Sequence, residues 1–400
     1  MTTTAPPRST LRLLTGAIGA VIDGVDLSLP LSDGDIDMIR TAVTDHQVVF
    51  LRDQHLDAEQ LGALAGRFGA LTTHPVDRIV GSARTVATIT DTADRPPAAF
   101  DWHTDLSWTA RPPSWGFLHA VDVPDVGGDT LWASSFAMYD LLHPQLQQLC
   151  EGLAAIHRPS PALVNSVRRR RGDDVALRLL DEYPGAVHPL IRRHPVSGRP
   201  ALYLSKLYTD RLVGDTGIDA DLLLDRLNRG LDDPHVQVRW RWRRGDVAIW
   251  DEASTCHRAL GDHFPRNRTM QRCTIEGPAP RAPSGWTAQP DPMMRALSAP
   301  IAHRARSTAT PRTAARYAIP LGESLYPVPR LMVRPRFLSL RTSILNCTGS
   351  RPRSLARSGA LVAGRSSMIR RVSIVHGPVD ELRSRRSSLA AIPATSSSSS

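Results

Sequence analysis

The triplet His103-Thr104-Asp105 is a segment of this 400-residue chain that could do chemistry. In an extended backbone, positions i and i+2 project to the same side, so His103 and Asp105 could grip one metal ion together. The H-x-D pattern is not diagnostic alone. His55-Leu56-Asp57 repeats it, and there the aspartate reads as a helix cap. What sets the second copy apart is its downstream company. His257 follows the apolar run Val247 to Trp250, and Arg268 and Arg272 lie 11 and 15 residues beyond it. Two imidazoles and one carboxylate on one side of a metal leave coordination positions open, as non-haem Fe(II) oxygenases require; zinc more often takes a closed tetrahedral set or three ligands and a water.

Thr269 to Thr274 reads as a strand, and a spacing of four puts Arg268 and Arg272 on one face with Met270 and Thr274. Gln271 and Cys273 take the other face. Guanidiniums facing a barrel interior are costly unless anions meet them, and carboxylates are the usual partners. Cys256, beside His257, points the opposite way in an extended chain and reads as packing.

The elements that must position these residues are legible in part. Gly19 to Val25 is a short apolar run; Ser32 and Asp35 form a capping pair ahead of Ile36, Ile39 and Val43. Gln47 to Leu51 reads as a strand. Asp57 with Gln60 caps a second helix carrying Leu61, Leu64 and Phe68, with Gly69 as its end. Strands dominate from about residue 85, interrupted by a helical stretch from Ser135 to Leu153 that Pro144 restarts. Residues 160–184 are polar, include Arg168 to Arg171, and read as an insertion or mobile loop. A helix follows from Asp219 to Leu231. His235 to Trp242 alternates Val236, Val238, Trp240 and Trp242 with Gln237, Arg239 and Arg241, the period of a half-buried strand. Arg244-Gly245-Asp246 reads as a hairpin turn into Val247 to Trp250.

Composition sets the frame: 41% apolar and 22% charged residues suit a soluble globular chain. No stretch approaches the ~18–20 apolar residues of a membrane span. The N-terminus lacks a secretory pattern and the four cysteines lack C-x-x-C spacing, so the expectation is a cytoplasmic protein with no membrane partner. The net charge of +10 misleads as an average, because residues 286–400 hold 18 arginines against four acidic residues while the body is mildly acidic. A nucleic-acid reading is therefore confined to that Arg/Ser/Pro-rich tail, whose composition predicts disorder.

With those residues in place, positions from about 10 to 280 resemble the taurine dioxygenase (TauD/TfdA) family of Fe(II)/2-oxoglutarate-dependent dioxygenases. The matching motifs run in order: Trp102 to Asp105; Gly127-Gly128-Asp129-Thr130-Leu131-Trp132; His194 to Gly198; Val238 to Trp242; Trp250-Asp251 ahead of His257; and Arg268 with Arg272. The resemblance implies a mainly β, α+β fold, a double-stranded β-helix or jelly roll with flanking helices. It implies a dioxygenase domain over 10–285 with 160–184 as its lid or insertion, leaving a flexible N-terminus over 1–9 and the basic tail over 286–400, which has no counterpart in the family. His103, Asp105 and His257 become the iron ligands. Thr130 and Arg268 bind the distal carboxylate of 2-oxoglutarate. Arg272 lies near the metal, toward the substrate anion or the proximal carboxylate, and His74 touches substrate. The implied reaction consumes O2 and 2-oxoglutarate, releases succinate and CO2, and hydroxylates a small molecule; the implied assembly is a homo-oligomer, dimer or tetramer.

The taurine pocket is not reproduced. Asp77 and Ala99 stand where taurine enzymes carry Tyr and Asn, and Tyr208 and Pro159 stand at family Phe positions. The expected substrate is a small anion: another sulfonate, an alkyl sulfate or a carboxylate. Two alternatives stay open at this point, an oxygenase acting on an amino acid or natural-product intermediate, and a non-catalytic jelly roll that binds a metal or an anion.

Overall fold

The computed structural model describes residues 9–97, 101–287 and 289–290. Ala99, Cys347 and the basic segment 291–400 lie outside the described residues. The elements run β1 (Thr10–Leu13), β2 (Ala20–Asp23), α1 (Asp33–His46), β3 (Val48–Leu51), α2 (Ala58–Gly66), α3 (Pro75–Ile79), β4 (Ala87–Asp91), β5 (Trp115–Asp122), β6 (Thr130–Ser134), α4 (Ser135–Asp140), α5 (Pro144–Glu151) and β7 (Ala154–His157). After them come α6 (Pro161–Arg171), α7 (Asp173–Glu182), β8 (Ala186–Pro189), β9 (Ile191–Arg193), β10 (Pro200–Leu202), β11 (Thr209–Val213), α8 (Ala220–Arg229), β12 (Gln237–Trp240), β13 (Val247–Asp251), β14 (Thr255–Ala259), β15 (Arg268–Ile275) and β16 (Gln289–Pro290).

A seven-stranded sheet in the order β1-β2-β3-β13-β5-β15-β4 faces a three-stranded sheet, β12-β6-β14. A four-stranded sheet, β11-β7-β8-β16, and the β10-β9 pair complete the jelly roll. The central strands β3 and β13 are buried on both faces, which is why they read as apolar runs without alternation. In β3, Val48 and Phe50 join Ala248, Trp250 and Met270 in the core between the sheets, packed on Trp132, Val238 and Trp240. Val49 and Leu51 point the other way, with Ile249 and Cys273, into a layer closed by Ile36, Ile39 and Val43 of α1 and Leu61 and Leu64 of α2. Each such side chain contributes about 1.5–3 kcal/mol by leaving water.

The capping pairs foreseen for α1 and α2 both close. Asp35 N–H donates to Ser32 Oγ at 3.2 Å and Ser32 N–H donates to Asp35 Oδ2 at 3.0 Å. Asp57 and Gln60 exchange bonds of 2.8 and 2.9 Å. Helix α2 stops at Gly66, short of Gly69. Pro144 does open a new helix, α5.

Two expectations are corrected. Residues 160–184 are no loop: they form α6 and α7, because Val164 and Val167 of one helix and Ala176 and Leu179 of the other recur at helical spacing. These four share a buried cluster with Val76, Ile79, Leu106 and Trp108. The Arg244-Gly245-Asp246 turn is no hairpin, since β12 pairs with β6 while β13 pairs with β3 and β5. It carries the chain from one sheet to the other. The Asp246 carboxylate secures it, accepting Arg243 N–H at 2.7 Å and Trp240 Nε1–H at 3.1 Å and pairing with Arg52. The β12 strand is also shorter than its alternating pattern, beginning at Gln237 after a 3-10 turn over Pro234–Val236. Among the described residues, no helix is long and apolar enough to cross a membrane.

Candidate metal centre and co-substrate site

His103 and His257 are joined through their backbones, each N–H donating to the other's carbonyl at 2.9 and 2.8 Å. That bridge brings the two imidazoles to a centroid separation of 4.2 Å. Asp105 does not sit on an extended strand as the i, i+2 argument supposed. It opens a turn in which Leu106 adopts φ 50, a left-handed conformation uncommon for a branched side chain. Thr104 Oγ1, donating to the Thr255 carbonyl at 3.1 Å, and Asp105 N–H, donating to Glu252 Oε2 at 3.0 Å, fix that turn. Its outcome is the one required: Asp105 Oδ1 stands 3.7 Å from Nε2 of both histidines. One ligand atom from each residue lies within 4.8 Å of the others, and all three residues are buried.

The protonation pattern suits a cation. His103 Nδ1–H donates to the Asp101 carbonyl at 2.8 Å, leaving Nε2 with its lone pair toward the cluster. Burial holds both imidazoles below the usual histidine range, so both are neutral ligands. Burial alone would raise the Asp105 carboxyl; the adjacent Arg272 guanidinium is the largest opposing influence, and the group stays ionised. Trp132 and Trp250 pack beside His257, with ring centroids at 6.4 and 5.2 Å.

Arg268 and Arg272 leave β15 on one face, as their spacing foretold. Arg272 pairs with Asp105 and remains partly exposed. Arg268 is 6% exposed, and its Nε and Nη2 have no hydrogen-bond partner. Burial lowers its pKa, and Asp91 and Asp129 only partly offset that. Those two carboxylates have other company: Asp91 stands 3.4 Å from His263, and Asp129 accepts Arg239 Nε–H at 2.7 Å. An orphaned buried guanidinium calls for an anion from outside the chain. The Gly127-Gly128 loop makes room for it. Both glycines have positive φ, and a Cβ at Gly128 would lie 3.0 Å from Arg268 Cδ. Thr130 follows, 2% exposed, its hydroxyl oxygen accepting Trp242 Nε1–H at 2.9 Å, so its own proton is free to be donated.

His74 caps α3, its Nδ1 accepting Val76 N–H at 3.2 Å. Burial and the nearby Arg272 charge push it down to about 4, so it is neutral and carries its proton on Nε2. Asp77, in place of a taurine-pocket tyrosine, is committed to Arg84 at 3.1 and 3.2 Å and lies 3.8 Å from Arg171. Tyr208 stands edge-on to His103 with centroids 6.0 Å apart. Pro159 is buried just ahead of α6.

Two motifs turn out to be one device. His194 Nε2–H donates to Asp251 Oδ2 at 2.7 Å, which locks the segment leading into β14 and therefore His257. Sequence reasoning missed Glu252. It is fully buried, accepts Trp250 Nε1–H at 2.8 Å through Oε1 and Asp105 N–H through Oε2, and burial beside the Asp105 charge raises its pKa well above the carboxylate range. An acidic residue immediately after an apolar strand was the only signal available.

Known proteins resemble this chain over about two thirds of its length. Residues 10–274 match the family described as "Taurine catabolism dioxygenase TauD, TfdA family". The chain is 31% identical over 271 residues to an alkylsulfatase of Acinetobacter baylyi, covering 67% of this chain and 84% of that protein. It is 32% identical over 277 residues to an alpha-ketoglutarate-dependent sulfate ester dioxygenase of Pseudomonas putida, covering 67% and 89%. The crystal structure of a taurine dioxygenase from Burkholderia xenovorans superposes with a TM-score of 0.60 at 30% identity, over 73% of this chain and 99% of that one.

Proposed function

The chain belongs to the TauD/TfdA family of Fe(II)- and 2-oxoglutarate-dependent dioxygenases, and from that premise we propose that His103, Asp105 and His257 hold its ferrous ion, Arg268 and Thr130 the distal carboxylate of 2-oxoglutarate, and Arg272 with His74 the anionic head of a sulfonate, alkyl sulfate or carboxylate substrate. One observation carries the assignment: three buried donors converge within 4.8 Å in the same barrel that encloses a guanidinium with two unpartnered nitrogens. When bound, iron and 2-oxoglutarate supply the oxidising chemistry with O2, hydroxylating a substrate carbon as 2-oxoglutarate is decarboxylated to succinate.

The chain's own residues bind, orient and exclude water. Arg268 offers a planar fork to a carboxylate in a desolvated setting, where such a pair is strong. The Thr130 hydroxyl can add a hydrogen bond to that carboxylate. Arg272 neutralises the outward oxygen of Asp105 and is exposed enough to meet a substrate anion as well. His74, neutral with a proton on Nε2, is a hydrogen-bond donor suited to a sulfate or sulfonate oxygen. Hydroxylation beside an ester or sulfonate heteroatom gives a product that fragments to an aldehyde and sulfate or sulfite. The relatives named for alkyl sulfates and sulfate esters support this substrate class.

The test is anaerobic addition of Fe(II) and 2-oxoglutarate, followed by succinate measurement once air is admitted. Wild-type protein should develop a metal-to-ligand charge-transfer band and form succinate; H103A, H257A and D105N should do neither while remaining folded. Wild-type-like succinate formation by all three variants would overturn the assignment.

A further inference from the structure

His74 lines a cavity of about 780 Å3 whose other walls come from α3, β4, the segments flanking β4, and α6. Five arginines and two aspartates line it. Arg84 and Arg171 are spent on one of those aspartates, Asp77. Arg95, Arg169 and Arg170 have no carboxylate within 4 Å among the described residues. They reach the cavity from two separate elements, Arg169 and Arg170 from the last turn of α6 and Arg95 from the turn that follows β4.

The helix dipole favours basic residues at a C-terminus by about 0.3–1 kcal/mol each. That explains why arginines are tolerated at the end of α6. It does not explain why Arg95, outside the helix, converges with them. Burial, then the charges of Arg95 and Arg169, lower the pKa of Arg170, and Asp91 opposes them only in part. Val76, Ile89, Leu163, Val167 and Pro97 give the cavity an apolar lining, beside the polar Thr88, Ser166 and Asp94.

We propose that Arg95, Arg169 and Arg170 form an outer anion subsite, so that the preferred substrate is a dianion with acidic groups at both ends of an aliphatic middle. The inference rests on the assignment of His74 and Arg272 to the inner anion. The inner acidic group sits beside the carbon to be hydroxylated, the apolar walls hold the chain, and the arginines of α6 take the far end. Arg168 belongs to a different environment, bonded to Asp173 at 2.6 Å and Asn165 at 2.9 Å.

Calorimetric titration tests this with short linear alkanesulfonates, each paired with the same chain bearing a terminal carboxylate. Anaerobic protein loaded with Fe(II) and 2-oxoglutarate should bind the dianion about three- to tenfold more tightly than its monoanion partner, the value of a few charge pairs made by exposed guanidiniums. R169A and R170A should bring that ratio toward one, while R168A keeps it. A wild-type ratio near one at every chain length, or a ratio that survives both R169A and R170A, would overturn the subsite. Failure of the inner site is read separately: no charge-transfer band with 2-oxoglutarate would remove the catalytic assignment, and the dianion ratio measured on metal-free protein would still decide the arginines.

Discussion

Replacing Arg268 with methionine should weaken 2-oxoglutarate binding severely without destabilising the metal-free protein. The guanidinium is 6% exposed, and Nε and Nη2 have no partner in the chain. Its nearby carboxylates, Asp91 and Asp129, are shared with His263 and Arg239. A bidentate carboxylate supplies two charged hydrogen bonds at ~1.5–3 kcal/mol each, and because neighbouring bonds do not add fully the loss should be ~3–5 kcal/mol. That is roughly 150- to 4,000-fold in Kd. The apo protein meets the opposite balance. Removing a buried charge whose partners are not fully its own is neutral or stabilising. Anaerobic titration of the Fe(II) protein, followed by the charge-transfer band, reads the first effect; urea unfolding of apo protein reads the second. An unchanged Kd would refute the co-substrate role. A loss of more than about 2 kcal/mol in the apo protein would show instead that Arg268 serves to hold Asp91 and Asp129.

Gly128→Ala should act on the same contact from the other side. An alanine there must adopt φ +76 and place its Cβ 3.0 Å from Arg268 Cδ, so stability should drop by about 1–2 kcal/mol and 2-oxoglutarate affinity by about tenfold. Wild-type affinity in a folded G128A would show that the loop does not set the guanidinium's position. Acid should destabilise the apo protein through its buried histidines. Burial, with Arg192 nearby, lowers His188 to about 4, so the unfolded chain takes up the proton first. Its stabilising effect is complete above pH ~6.5 and fades as pH falls toward 4, a difference of about 3 kcal/mol. Urea midpoints should decline across that window, and more gently in H188Q; an equal slope in both proteins would exclude His188 as a source.

His103, Asp105, His257 and the two arginines were legible as candidates because their chemistry constrains residue type. Arg268 and Arg272 share a face of β15 as period-two alternation requires, and Cys273 lies on the opposite face in the helix-covered layer. Local capping chemistry located α1 and α2 for the same reason. The arginine-rich α6 was hidden by composition, since four successive arginines mask Val164 and Val167, whose stripe covers Leu106, Trp108, α3 and α7. The Arg244-Gly245-Asp246 turn failed differently. A tight turn has the same residues whether its strands pair or part, and strand partners are settled by remote packing, here the stacking of Trp240 on Phe50 at 4.1 Å. Asp105 illustrates a third limit. Its convergence on the histidines depends on the Leu106 backbone and the Glu252 carboxyl group, and no local periodicity encodes either.

The reciprocal bond between His103 and His257 also orders events in time. Contacts between such distant chain positions must meet a large loop-closure entropy and so form late in folding. A nascent chain displaying only His103 and Asp105 offers two donors and no enclosure. The third donor arrives when β14 has been synthesised and seated beside β6. The three-donor cluster is therefore a property of the finished barrel and not of a growing chain.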